Sequence, residues 1–173
     1  MPLVLGLRYP FAALRSLRGP KVDLYEWTSV AMRVRITDCD SYLHVNNGRY
    51  LSLMDIGRIN HSGRCGLIGL WRRTGWKPVA GGATIRFRRE LRIGARYTLR
   101  TRLVGWDEGW SFWEQVFERA DGALAARAYA KVAMLDSDGS RLRSAQVIEA
   151  LGGAVKSPPL PEGVLSWQAS EFG

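Results

Sequence analysis

The sequence predicts an α+β fold, in which one long helix is wrapped by a curled antiparallel sheet of about five strands. Three observations lead there. A strand pattern over Tyr25–Thr37, rich in Val, Met, Ile and Trp, runs almost directly into a helical pattern over Gly48–Arg64. Strand patterns then follow one another with turn dipeptides between them, which makes them antiparallel neighbours. Only one large helix is available to cover the sheet, so it must be buried against the concave face.

Each element has its own reason. In the first strand Val34 and Ile36 alternate with Arg33 and Arg35, the period of a half-buried strand. The polar stretch Asp38–Asn47 ends it. Asn46 and Asn47 are good N-cap residues for the helix, whose buried candidates are Tyr50, Leu51, Met54 and Ile59. Gly57 and Gly63 cost helix propensity but let another backbone approach closely. Gly66 and Gly69 read as stop signals, and Trp71–Lys77 as a basic connection. Strands are then predicted over Val79–Glu90, Arg96–Trp106, Trp110–Arg119 and Ala123–Leu135. The turns between the last three are Asp107-Glu108-Gly109 and Asp121-Gly122. The arginine stripe Arg96/Arg100/Arg102 reads as a solvated sheet face. A short helix capped by Ser144 is expected over Ser144–Leu151, followed by an extended, Pro-rich tail.

With 173 residues, 46% hydrophobic and 24% charged, the chain reads as one globular domain. The expected division is a basic, apolar N-terminal arm over 1–24, the main domain over 25–152 and the tail over 153–173. Net charge is +9, mostly from arginine, which suits phosphates and carboxylates. No helix-turn-helix, zinc-finger or RNA-binding signature favours nucleic acid. Two cysteines, Cys39 and Cys65, make no disulfide framework, so a reduced cytoplasmic setting is expected. Cys39 lies between two aspartates, poor surroundings for a thiolate nucleophile. The arm over 1–24 is too broken by Pro10 and Pro20 to span a bilayer, which takes ~20 apolar residues. Its basic and apolar residues are compatible with peripheral contact to an anionic membrane, or with packing on the domain.

The segment with the most chemistry is Asp38–Tyr50. It sets two acids, a histidine and two asparagines against a helix N-terminus. A helix N-terminus offers unsatisfied N–H donors and partial positive charge, which favour a developing oxyanion. A nearby carboxylate can attack a carbonyl or activate water. Asp38 and Asp40 can also simply shape the turn. His44 reads equally as an anchor of the loop or as a group orienting Asp40 or water. Asn46 reads as a brace, Tyr50 as core, and Asp55 as half of a structural ion pair with an arginine. His61 is too far along the helix to complete a metal site with His44, and no cluster has zinc-ligand spacing, so no metal is expected.

The order of elements, with Asp38, Asp40, His44, Val45, Asn46, Asn47 and Tyr50 at the strand-to-helix junction, resembles the hotdog fold. The resemblance is to the hydroxybenzoyl-CoA-thioesterase-like and acyl-ACP-thioesterase-like branch, over roughly residues 28 to 136. Arg58, Arg64-Cys65-Gly66 and Gly105-Trp106-Asp107 resemble the thioesterase-superfamily-member-six group within it. The resemblance implies hydrolysis of an acyl-CoA or acyl-ACP thioester, with coenzyme A part of the substrate and no separate cofactor. It implies Asp40 as general base or nucleophile and the backbone opening the helix, best placed at Asn47, as the oxyanion donor. His44 joins them as a catalytic candidate. Asn46, Tyr50, Arg86 and Arg88 are the substrate-binding candidates, the arginines toward the phosphates of coenzyme A. The active site is implied at the interface of a homodimer or a dimer of dimers. Tyr42 and Leu43 stand where many relatives carry asparagine or glycine, and Leu43 is expected to narrow the pocket. A non-catalytic acyl-thioester or lipid-binding module at a membrane is the alternative from a different class.

Overall fold

The computed structural model describes Leu14 and residues 18–153 and 156–170. The predicted arm over 1–24 lies mostly outside them. Five strands form one antiparallel sheet: β1 (Thr28–Arg33), β2 (Lys77–Phe87), β3 (Arg96–Trp106), β4 (Ser111–Arg119) and β5 (Leu124–Leu135). Their spatial order is β1-β3-β4-β5-β2, so β1 and β2 are the edges. The first strand stops earlier than its sequence pattern, because Ile36–Asp38 turns into a short 3-10 segment.

The long helix, α1 (Asn47–Arg64), crosses the concave face, which makes this a hotdog fold. It buries Tyr50, Leu53, Met54, Ile56, Gly57, Asn60 and His61, positions three and four apart that form one stripe. Leu51 lies off that stripe and stays 47% exposed, contrary to the expectation for it. The sheet offers Leu99, Leu103, Trp113, Phe117 and the alanines 126, 128 and 130 to the same core. At Gly57 the helix and sheet come so close that a Cβ would stand 2.5 Å from Thr101 Oγ1 and 2.7 Å from Gln115 Nε2.

Three departures from the sequence expectation concern helices. Gly66, at φ 91°, ends the long helix, but Gly69 does not stop anything: Leu67–Thr74 forms α2, anchored by buried Leu67 and Leu70. The next helix, α3 (Ser144–Glu149), is shorter than expected, and its N-cap position is Arg143, not Ser144. The tail is not simply extended. Glu162–Ser170 forms α4, which follows Pro161 and lies on the outer face of the sheet. There Val164 is fully buried against Val104 and Phe112, with Trp110, Tyr129, Leu160 and Trp167 around it. Proline just before a helix is pre-set for helical φ, so the same residues that suggest a tail also start α4.

Among the described residues no helix is long and apolar enough to cross a membrane.

Candidate active site

The site grows from the connection between β1 and α1. Asp38, 1% exposed, ties that connection at both ends. Its carboxylate accepts the Arg35 N–H at 3.0 Å, and its carbonyl accepts the Asn46 N–H at 2.9 Å. Between them residues 40–44 close a tight turn: Asp40 N–H donates to the His44 carbonyl at 3.0 Å, and Leu43 N–H to the Asp40 carbonyl at 3.1 Å. The Asp40 carboxylate also accepts the Tyr42 N–H at 2.9 Å, an Asx turn. Leu43 takes φ 61°, a left-handed conformation unusual for a branched side chain. The turn is clipped to the β2–β3 connection, where Val45 N–H reaches the Leu91 carbonyl and Ile93 N–H the Leu43 carbonyl, both at 2.9 Å.

This frame holds the His44 imidazole between two carboxylates. Nδ1 is 3.6 Å from Asp40 Oδ1, and Nε2 is 3.6 Å from Glu90 Oε2. The hydrogen bond from Arg92 is the main reason the Glu90 carboxyl lies below its ordinary range. Tyr42 stacks on the imidazole, with centroids 5.8 Å apart. The Tyr42 and Leu43 side chains otherwise point outward, 77% and 51% exposed, and Leu43 does not narrow the cleft.

At the helix start the Asn46 side chain accepts the Gly48 N–H at 2.9 Å, and its carbonyl accepts the Arg49 N–H at 2.8 Å. That leaves the N–H of exposed Asn47 as the open donor of the first turn. Behind it the Tyr50 ring packs edge-on to Phe87 and Phe117, with centroids 5.0 and 4.9 Å away. Burial pushes its phenol up to about 12, so it stays neutral at ordinary pH.

His44, Asn47, Tyr50, Phe87, Arg88 and Glu90 line one cleft of about 250 Å³. Of the sequence candidates, the fold thus brings together His44, Asn47, Tyr50 and Arg88. Asp40 stands beside His44, its side chain 29% exposed. Asn46 has its side chain committed to the cap. Arg86 lies elsewhere, in a groove on the outer face of the sheet. Glu90 and Phe87 were not singled out from the sequence. Phe87 ends β2 and Glu90 lies in the connection after it, and the only local signal is a lone acid closing the run Arg86–Arg89.

Further along α1, Asp55 pairs with Arg58, whose Nη1 donates to Gln115 Oε1 at 2.8 Å. Gln115 in turn donates to the Met54 carbonyl at 2.8 Å and to Thr101 Oγ1 at 3.0 Å. Beside this network a mainly apolar chamber of about 380 Å³ opens between α1, α2, α3 and the sheet. Ile59, Trp71, Leu103, Trp113, Val132 and Ile148 are among its walls. Burial, followed by the charges of Asp38 and Asp40, raises the Cys39 thiol above its ordinary range, away from nucleophilic duty. Among the described residues no three His, Cys, Asp or Glu side chains gather as metal ligands.

Comparison with known proteins places this architecture. Residues 34–168 match the model of the thioesterase-like superfamily. Protein THEM6 of Danio rerio is 39% identical over 122 residues, covering 69% of this chain and 60% of the relative. Protein THEM6 of Xenopus laevis is 33% identical over 163 residues, covering 93% of this chain and 77% of the relative. The chain therefore spans only part of their length. Among solved structures, the probable thioesterase YbaW of Escherichia coli superposes with a TM-score of 0.66 at 22% identity. That match covers 74% of this chain and 98% of YbaW. A Staphylococcus aureus protein solved in complex with CoA gives 0.61 at 15% identity, covering 83% and 95%. These two likenesses carry the fold alone. By the match of its own residues 34–168, the chain belongs to the thioesterase-like superfamily.

Proposed function

We propose that this chain hydrolyses the thioester of an acyl-CoA or acyl-ACP. One observation carries the reading: a partly exposed carboxylate, Asp40, stands 3.6 Å from His44 at a cleft whose other wall is the open N-terminus of α1. The thioester carbonyl points at the Asn47 N–H, where the helix start meets the charge that develops on oxygen. Asp40 takes a proton from water as the water oxygen attacks the carbonyl carbon, or attacks that carbon itself. The C–S bond then breaks and the thiolate leaves; where Asp40 itself attacks, water then opens the acyl–Asp40 anhydride, which frees the acid and restores the carboxylate. His44, between Asp40 and Glu90, orients Asp40 and the water. The apolar chamber along α1 supports an acyl group on the substrate.

The reading includes a homodimer joined through the β2 edges. Residues 77–87 form a long edge strand, and the exposed apolar residues Val79, Phe87 and Leu51 lie on or near it. An unpaired edge of this length is a template for a second strand. Their place in the cleft supports binding roles for Tyr50 and Arg88. Nucleic acid is not among the proposed partners.

The test is a hydrolysis panel of acyl-CoAs, from short to long and aromatic chains, with wild type and Asp40→Asn. Asp40→Asn should keep the wild-type circular dichroism and lose turnover by at least about 100-fold, the usual contribution of a positioned base. Unchanged hydrolysis by the folded variant would overturn the assignment of Asp40. No hydrolysis by wild type across acyl-CoA and acyl-ACP substrates would favour the non-catalytic acyl-binding module.

A further inference from the structure

Leu43 has no role in the chemistry proposed above, yet the fold forces its backbone to φ 61°, which asparagine or glycine adopts at lower cost. Such strain persists only where the surrounding structure enforces it. Here the Leu43 N–H is held by the Asp40 carbonyl at 3.1 Å and the Leu43 carbonyl by the Ile93 N–H at 2.9 Å. The result is an exposed leucine beside exposed Tyr42 at the tip of a turn. Exposed Ile93 is brought next to them by that same bond. Ile36 is exposed on the 3-10 segment that leads into the turn. Four of the nine large apolar side chains exposed among the described residues thus gather at one corner. A gathering of this kind marks an interaction surface, whereas single exposed apolar residues do not. The charge around it has one sign. Arg33 and Arg96 are direct cross-strand partners, and like charges so placed weaken a sheet pair. Arg33 reaches the carbonyl of Gly94, next to Ile93, at 2.8 Å. Exposed Arg35 adjoins Ile36. Among the described residues Arg33 and Arg96 form no ion pair, while nearby Arg92 is taken by Glu90.

We propose that this corner docks on a membrane surface that carries anionic lipid. Tyr42, Leu43, Ile93 and Ile36 enter the headgroup layer, and Arg33, Arg35 and Arg96 meet the anionic headgroups. The inference goes beyond the hydrolase reading and does not depend on it. It also names a surface of the folded domain, separate from the arm over 1–24. The chemistry favours a lipid surface over an acidic protein. Apolar tips on a turn enter a fluid layer without needing a matched pocket. Tyrosine, apolar with a polar end, suits the depth of the headgroups. Arginines beside such tips gain from the negative potential of the surface. Tyr42 also stacks on His44, one wall of the cleft. A chain docked by this corner therefore holds the mouth of that cleft against the lipid.

The test is co-sedimentation of the full chain with vesicles of phosphatidylcholine alone and of phosphatidylcholine mixed with phosphatidylserine, at low and high salt. The chain should partition onto the phosphatidylserine vesicles and be released by salt. The double variant Leu43→Asn/Ile93→Ser should lower the partition coefficient by about tenfold or more, the scale of withdrawing two apolar side chains. Asparagine accepts the left-handed conformation, so the melting temperature of Leu43→Asn alone should not fall, which separates docking from folding. Arg96→Glu turns the like-charge pair with Arg33 into an ion pair and keeps the fold. It should lower partition at low salt by about fivefold for each unit of charge. No partition onto phosphatidylserine vesicles, or equal partition onto neutral ones, overturns the proposal. Partition that neither variant changes also overturns it and places the membrane contact elsewhere in the chain. Capture of an acidic acyl carrier protein that these variants abolish, without vesicle binding, overturns it in favour of a protein partner. Vesicle binding is read without substrate, so none of these results bears on the hydrolase reading.

Discussion

His61 shows how burial decides the role of a residue. It is fully enclosed, with Nε2 3.1 Å from the Leu24 carbonyl and Nδ1 3.1 Å from the Thr28 hydroxyl. A carbonyl only accepts, so Nε2 carries the proton, while the Thr28 hydroxyl beside Nδ1 donates to the Thr101 carbonyl at 3.2 Å. Burial is the main cause that lowers its pKa from 6.5 to about 4. A histidine depressed in the fold binds more protons when unfolded, so stability is complete above about 6.5 and falls as pH drops toward 4. The full loss is about 3 kcal/mol at 1.36 kcal/mol per unit. Urea midpoints measured between pH 7 and pH 4 should fall in wild type. The His61→Gln difference should be much flatter over that window, and a parallel fall in the variant would place the titration elsewhere. His44 has the opposite surroundings, half-open between Asp40 and Glu90. The sequence separates the two histidines by distance along the helix and by the company of Asp40. It does not disclose Glu90, because a partner supplied across the sheet leaves no local pattern.

At the scale of elements, the closest approach in the molecule explains a glycine in the middle of a helix. Alanine at position 57 would gain about 1 kcal/mol of helix propensity in isolation. In place, its Cβ would meet Thr101 Oγ1 at 2.5 Å, Gln115 Nε2 at 2.7 Å and Leu99 Cδ2 at 2.9 Å. Those groups are fully buried, and Gln115 is fixed by its bonds to Met54 and Thr101. Gly57→Ala is therefore expected to destabilise by about 1–3 kcal/mol, the usual cost of overpacking a dense core. Urea denaturation measures it, and a gain in stability would show that α1 can lift from the sheet. The same contrast of local and tertiary terms explains which elements could be read in advance. β3 is found over Arg96–Trp106, where strict alternation predicts it, because its two faces differ in chemistry. Helix α1 begins within a residue of its expected start, because Asn46 provides a local cap. Helices α2 and α4 escape such reading. Each is short, under three turns, and each exists because a neighbouring surface receives Leu67 and Leu70 in one case and Val164 in the other.

For the molecule as a whole, the two edges of the sheet are unequal. The six-residue β1 is short, whereas β2 runs eleven residues with most of its side chains exposed. Val79 and Phe87 are each 43% exposed along it, and Leu51 at the adjacent helix start is 47% exposed. The β2 edge also borders the candidate site, because Phe87, Arg88 and Glu90 follow from it into the cleft of His44 and Asn47. A second copy pairing antiparallel through β2 would extend the sheet and wall the cleft at once, by a two-fold contact in which each residue faces its own counterpart region. In such a contact a new charge meets its like across the axis and is desolvated with it. The double variant Val79→Lys/Ala83→Lys should thus shift the protein from dimer to monomer in light scattering, and turnover should fall with the dimer fraction as concentration is lowered. A variant that stays dimeric, or a monomer with full turnover, would show that one chain completes the site alone.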